Sequence, residues 1–156
     1  LRVEIRAIGR LKSGPERTLV DDYLKRAEGL GRGVGLGPFV EREIDPRNLA
    51  DRAAETEALI ADLPALATVV ALDERGEALT SRAFSGRLQE TRDDGVRDMV
   101  FLIGGADGFD AARLPAGTRR IAFGPATWPH KLVRVMLAEQ LYRAVALAAG
   151  SPYHRD

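Results

Sequence analysis

The stretch "MVFLIGGADGFD", Met99 to Asp110, decides how this chain is read. Met99 to Ile103 is an unbroken apolar run, the pattern of a strand buried on both faces of a parallel sheet. It stops at a Gly-Gly-x-x-Gly turn formed by Gly104, Gly105 and Gly108. In open parallel sheets, ligands bind beyond the carboxyl ends of strands. Glycines placed there let backbone groups approach a ligand with no Cβ in the way. The spacing is not the Gly-x-Gly-x-x-Gly of a dinucleotide fingerprint, and Asp107 and Asp110 would oppose a pyrophosphate. Two readings stand: a tight turn with glycines at positive φ, or a loop against a neutral or cationic adenosine ligand.

Working outward, "ATVVALDE" (Ala67 to Glu74) is a second buried strand, and "RRIAFG" is a third that ends in "GPATWPH". "RVEIRAIG" (Arg2 to Gly9) alternates, with Val3, Ile5 and Ala7 inward against Glu4 and Arg6. "FVEREI" reads as a further short strand. Helical spacing marks Glu16 to Glu28, Asn48 to Leu63, Ser81 to about Arg92, and a long helix running from "GPATWPH" to Ala149. Gly150 and Pro152 then give the Gly-then-Pro stop. The helix at 48–63 is expected to bury Leu49, Ala53, Leu59, Ile60 and Leu63. "GLGRGVGLGP", with glycine at 29, 31, 33, 35 and 37, lacks a Gly-Lys-Ser/Thr ending and reads as a flexible connector. Strands alternating with helices predict one α/β domain over residues 1–156, its mainly parallel sheet covered by helices on both faces.

Composition narrows the chemistry. With 45% apolar residues in 156, an ordinary globular core is expected. There is no cysteine, which excludes disulfides, thiolate metal sites and cysteine nucleophiles. Two distant histidines make zinc unexpected, so no metal is predicted. No apolar run approaches the roughly 20 residues of a membrane span, and "LRVEIRAIGR" is not a signal peptide. A cytoplasmic protein is expected. Lys plus Arg equals Asp plus Glu, 23 each, so no global basic field draws nucleic acid. A local patch is confined to the last thirty residues: Lys131, Arg134, Arg143 and Arg155, against Glu139, Asp156 and the terminal carboxylate.

The final helix, "WPHKLVRVMLAEQLYRAVALAAG", is apolar around most of its circumference, through Leu132, Val133, Val135, Met136, Leu137, Leu141, Val145 and Leu147. Such a helix is buried on most sides, against its own sheet and a second subunit. Arg134, Glu139 and Arg143 must then be paired or functional, and Glu139 with Arg143 one turn on is a simple salt-bridge reading. His130 opens the helix, where the dipole favours a neutral ring suited to accepting a proton or simply to capping. The tail "SPYHRD" puts Tyr153, His154 and Arg155 on a terminus that would otherwise fray.

Together "FLIGGADGF", "WPHKLVRVMLAEQLYRA", "SPYHRD" and the opening "LRVEIRAIGRLK" resemble the ribosomal RNA large-subunit methyltransferase H family of SPOUT methyltransferases. The resemblance covers nearly the whole chain. It implies a C-terminal trefoil knot, which no general connection rule predicts. It further implies a homodimer packed through the long helix, and S-adenosylmethionine bent within the knot loops. The cofactor residues would be Leu72, Gly104, Gly105, and Gly124, Pro125, Ala126, Thr127, Trp128 and Pro129. The tail would lie at the interface over the cofactor pocket, making Tyr153, His154 and Arg155 active-site residues ordered by the partner subunit and the substrate. Relative to the family pattern, the connector at 29–37, Trp128 and Lys131 depart from what is usual.

The implied reaction is methylation of N3 of a pseudouridine in 23S rRNA, on the assembled ribosome. His130 or His154 would assist proton removal, while Arg134, Arg143 and Arg155 hold the base or its phosphates. Rival readings are a non-catalytic ribosome- or RNA-binding dimer of the same fold, and an unrelated flavodoxin-like or nucleotide-binding domain.

Overall fold

The structure, a computed structural model, describes residues 1–155, so Asp156 of the C-terminal patch lies outside the described residues. Its elements follow in the order β1 (Arg2–Ile8), α1 (Pro15–Gly31), β2 (Phe39–Ile44), α2 (Arg52–Ile60), β3 (Thr68–Ala78), α3 (Ser81–Asp93), β4 (Asp98–Ile103), β5 (Arg119–Ala122) and α4 (His130–Ala148). The strands form one sheet in the order β2-β1-β4-β3-β5, with every neighbouring pair parallel. All five carboxyl ends therefore open on one side of the domain.

The period of two along a strand divides the core into two layers. Met99, Phe101 and Ile103 of β4 join Val3, Ile5 and Ala7 of β1 in a cluster with Leu88 of α3 and Leu137, Leu141 and Val145 of α4. Val100 and Leu102 point the other way and pack with Ile8 and Leu59 of α2. Each of the large β4 side chains contributes about 1.5–3 kcal/mol through its burial. Among the described residues no helix is long and apolar enough to cross a membrane.

Three expectations are corrected. First, β1 is not half-exposed: Glu4 and Arg6 are buried along with their apolar neighbours. Arg6 Nε donates to Glu4 Oε1 at 2.9 Å, and its Nη atoms donate to the carbonyls of Leu59 at 3.1 Å and Asp62 at 3.2 Å. The guanidinium thus satisfies carbonyls at the end of α2, where a cation is favoured. Second, the helix expected over 48–63 is shorter. Asp51 caps it through the Ala54 N–H, a 3₁₀ turn occupies Pro46–Asn48, and Asp62 at φ 54° ends it. Thr56 and Leu59 are its buried residues, while Leu49, Ala53, Ile60 and Leu63 are only partly covered.

Third, the glycine stretch at 29–37 is not a flexible connector. Gly29 and Gly31 belong to α1, and a 3₁₀ turn covers Arg32–Val34. Leu36 is buried in the core, Gly37 N–H donates to Leu1 O at 2.8 Å, and Arg92 Nη1 donates to Val34 O at 2.6 Å. The alternating glycines let α1 end against β1 and α3 in a packed turn.

The β3–β5 pairing slips between Leu72 and Glu77, both of which face Ile121. This irregularity throws Asp73, Glu74 and Arg75 out at the carboxyl end of the sheet. Gly76 closes it, and a Cβ there would lie 2.6–2.7 Å from backbone atoms of Arg120 and Ile121. No side chain can swing away to relieve that contact. Gly76→Ala is expected to destabilise the fold by about 3 kcal/mol. That corresponds to a drop of roughly 6–12 °C in Tm, and a thermal melt that matches the parent would contradict the packing described.

Candidate functional site

A cavity of about 360 Å³ opens at the carboxyl ends of β3, β4 and β5. This lies within the roughly 300–1,000 Å³ of small-molecule and cofactor sites. Three loops build it: Leu72 to Arg75 from β3, Gly104 to Phe109 after β4, and Phe123 to Trp128 after β5, with His130 and Val133 of α4 as one wall.

The turn after β4 is tight and also lines the cavity. Gly108 N–H donates to Gly105 O at 3.1 Å, and Gly108 has φ 70°. Gly105 is closely approached by side chains: a Cβ there would sit 2.6 Å from Glu55 Oε2 and 3.3 Å from Ile8 Cγ2, so the Glu55 carboxylate would have to turn aside. Helix α2 holds the same loop further along, where Asp110 N–H donates to the buried Thr56 Oγ1 at 2.9 Å. The loop after β5 is fixed by two hydrogen bonds, Trp128 Nε1 to Phe123 O and Thr127 Oγ1 to Glu74 Oε2, each 3.1 Å. With its N–H engaged and its ring 43% exposed, Trp128 presents an indole at the cavity wall.

Of the nine expected cofactor residues, Leu72, Gly104, Gly105, Gly124, Ala126, Thr127 and Trp128 line the cavity, and Pro125 and Pro129 lie just outside it. Asp73, Glu74 and Asp107 lie at the strand ends that the sequence marks, and three arginines that sequence reading missed join them on the lining: Arg52, Arg75 and Arg120. Arg120 Nη1 lies 3.5 Å from Asp73 Oδ2. The position of Arg75 directly behind the strand at 67–74 was the available signal; Arg52 and Arg120 are brought in only by the fold.

His130 is on the cavity wall as the first residue of α4, half-buried. Burial, with the positive charges of Arg134 and Lys131, pushes its imidazole below the usual range, so the ring is neutral at pH 7.

Arg134 is not placed to bind substrate, which corrects the expectation. Its side chain is 1% exposed and enclosed by Glu43, by Glu41 at 3.4 Å and by the Gly9 carbonyl at 3.0 Å. Arg17 completes the network at 2.6 Å from Glu41. An arginine wrapped by two carboxylates and a carbonyl ties α4 to β2 and to the end of β1.

The tail lies at the other end of α4. Tyr153 OH donates to Glu139 Oε1 at 3.1 Å, Arg143 pairs with the same carboxylate, and Arg143 Nη1 lies 3.2 Å from His154 Nδ1. The Tyr153 ring packs 4.5 Å from that of Tyr142, beneath the Arg143 guanidinium. Tyr153 and His154 thus pack on their own helix within one chain. Burial and neighbouring Glu139 push the Tyr153 phenol well above its ordinary value, so it acts as a donor. Arginine can only donate, so in this contact His154 Nδ1 is the acceptor. Arg155 is exposed. Thirteen residues of helix separate His130 from Arg143, roughly 20 Å at 1.5 Å per residue. One chain does not bring the tail cluster to its own cavity.

A parallel five-stranded sheet, a glycine-lined cavity at its carboxyl ends and a long helix rising from that cavity define the class. The family model described as "Predicted SPOUT methyltransferase" matches residues 1–154, and the chain has that family's α/β-knot fold. Among relatives named "Ribosomal RNA large subunit methyltransferase H", that of Maricaulis maris is 58% identical over 156 residues, covering 100% of both chains. Those of Phenylobacterium zucineum and Hyphomonas neptunium are 54% and 52% identical, covering 100% and 99% of each chain. The chain belongs to the ribosomal RNA large subunit methyltransferase H family.

Proposed function

We propose that this chain, as one SPOUT domain in a cytoplasmic homodimer, transfers the methyl group of S-adenosylmethionine to N3 of a pseudouridine in 23S rRNA within the assembled ribosome. The observation that carries the reading is the glycine-lined cavity with a neutral imidazole on its wall, in a chain of this family. The lining suits the cofactor. Leu72, Ile103, Phe109 and Phe123 offer apolar walls to an adenosine. The bare backbone of Gly104, Gly105 and Gly124 and the balanced carboxylates and guanidiniums suit a zwitterionic amino acid beside a sulfonium. When bound, S-adenosylmethionine supplies an electrophilic methyl group.

The residues of the chain do the rest. Leu72, the glycines and the 124–129 loop hold and orient the cofactor, so that nucleophile and methyl group meet in line. His130 takes the N3 proton on a ring nitrogen, a contribution of about 10²–10⁴-fold. His154 is the weaker candidate base because Arg143 occupies its Nδ1. The cluster of Glu139, Arg143, Tyr153, His154 and Arg155 serves the cavity of the second copy, because the helix holds it away from its own. Leu132 is 41% exposed, and Met136 and Leu147 are partly exposed on the same helix, which leaves α4 an apolar surface for that copy. A non-catalytic RNA-binding dimer would leave the cavity without a purpose.

Two experiments test this. Labelled S-adenosylmethionine with ribosomes should give methylated 23S rRNA, and deproteinised 23S rRNA should give far less; equal labelling of both would remove the ribosome from the proposal. The rate should stay flat through neutral pH. It should fall only when acid protonates His130, below the ordinary imidazole pKa of about 6.5. His130→Ala should lose this acid limb along with most of the rate, and a variant retaining both would exclude His130 as the base.

A further inference from the structure

The cations at the end of the chain are largely committed: Arg134 to Glu41 and Glu43, Arg143 to Glu139 and His154. A different group of cations is assembled by the topology. Gly105 is a common neighbour of the end of β1 and of α2, through Ile8 and Glu55. The Gly9 carbonyl meets Arg134 in the first turns of α4. Three chain segments thus converge beside the cavity mouth, and each carries exposed cations: Arg10 and Lys12 after β1, Arg52 at the start of α2, and Lys131 at the start of α4. Among the described residues none of the four forms an ion pair, although Arg10 lies within electrostatic range of Asp45.

The loop that carries Arg10 and Lys12 is held in place. Leu11 between them is buried against Val20 and Ala138, and its N–H donates to Glu43 Oε2 at 2.6 Å. The two flanking side chains are therefore presented outward on an ordered support. Nearby carboxylates are mostly engaged. Asp45 holds Arg47, Asp51 caps α2, and Glu43 takes Leu11 and Arg134. Glu55 is half-buried behind Gly105, and Asp107 lines the cavity.

We infer that Arg10, Lys12, Arg52 and Lys131 form a phosphate-binding shelf that grips the RNA backbone flanking the target nucleotide. The inference rests on the proposed reading of ribosomal RNA as substrate. In a chain of zero net charge, a local shelf gives orientation without the indiscriminate affinity of a wholly basic protein.

The test compares the full-length chain with Arg10→Gln/Lys12→Gln, and with Arg97→Gln/Arg119→Gln at the opposite end of the sheet as a control. Co-sedimentation with ribosomes is measured across a salt series, and S-adenosylmethionine binding is read from Trp128 fluorescence. The shelf variant should bind ribosomes at least about tenfold more weakly. Its log–log salt dependence should be shallower by about 1.5–2, as expected for two lost phosphate contacts. Its cofactor response and the control variant should match the parent. Unchanged ribosome binding and slope would overturn the shelf. Weaker binding with an unchanged slope would assign the surface to a ribosomal protein and overturn the phosphate reading. Because binding is read without methyl transfer, shelf-dependent binding by a chain that fails to methylate would support the shelf while removing the proposed reaction.

Discussion

Replacing Arg134 by methionine is expected to lower the unfolding free energy by about 3–5 kcal/mol, the usual result of removing one partner from a buried ionic network. The corresponding fall in Tm is roughly 6–20 °C. In the native chain, Arg134 is enclosed by Glu41, Glu43 and the Gly9 carbonyl. Without it, Glu41 retains Arg17, and Glu43 retains the Leu11 N–H and a longer approach of 3.8 Å to Arg17. Burial already raises the Glu41 carboxyl above its ordinary value, against the pull of Arg17 and Arg134. A raised carboxyl means that the folded state prefers the protonated form, so folding is penalised as pH rises past the ordinary carboxylate pKa. Losing Arg134 enlarges that penalty, and the defect should be greater at pH 8 than at pH 5. Adding Glu43→Gln should recover part of the loss, because it removes a carboxylate that has lost its partner. A variant that melts like the parent at both pH values, but binds ribosomes weakly, would return Arg134 to the substrate.

Ending the chain at Pro152 is expected to lower methyl transfer by at least about 100-fold, comparable to the loss of positioned hydrogen-bonding groups at a reacting centre. Cofactor binding should change much less. Every cavity-lining residue lies between Arg52 and Val133, and Trp128 remains to report occupancy. The effect has two parts. Tyr153, His154 and Arg155 are removed, and Glu139 and Arg143 lose the phenol and imidazole that hold them in place. If the tail acts across a dimer, mixing truncated chains with His130→Ala chains should restore about a quarter of the activity per site at random pairing. In such mixed dimers one cavity has both an intact His130 and an intact tail from its partner. Full activity from the truncated chain would make the tail cluster a helix-end clasp.

Much of this architecture was legible from the sequence for physical reasons. An apolar run stopped by glycines can be little else than a buried strand ending in a loop, and 99–110 behaves so. The final helix was equally plain, because its apolar residues continue for five turns before Gly150 and Pro152. Other features failed where pattern logic assumes one wet face. Glu4 and Arg6 alternate with Val3 and Ile5 as on an exposed strand, but β1 is an interior strand and both faces are covered. Their polarity is absorbed by each other and by the end of α2. Arg134 was misjudged for a related reason. Its partners lie about ninety residues away on β2, beyond the reach of any local spacing. The 29–37 glycines looked loose because composition reports freedom in the unfolded chain, not the close packing that small residues permit. Arg10, Lys12 and Arg52 are scattered in sequence, and only the parallel sheet sets them beside Lys131. The knot itself came from family resemblance alone.

The most direct measurement incubates the purified chain and labelled S-adenosylmethionine with two ribosome preparations, one containing the 23S pseudouridine and one with unmodified uridine in its place. The modified nucleoside is then identified after complete digestion. The account predicts label only in the pseudouridine-bearing ribosomes, recovered as N3-methylpseudouridine. Equal labelling of both preparations, or label on any other atom, would contradict it.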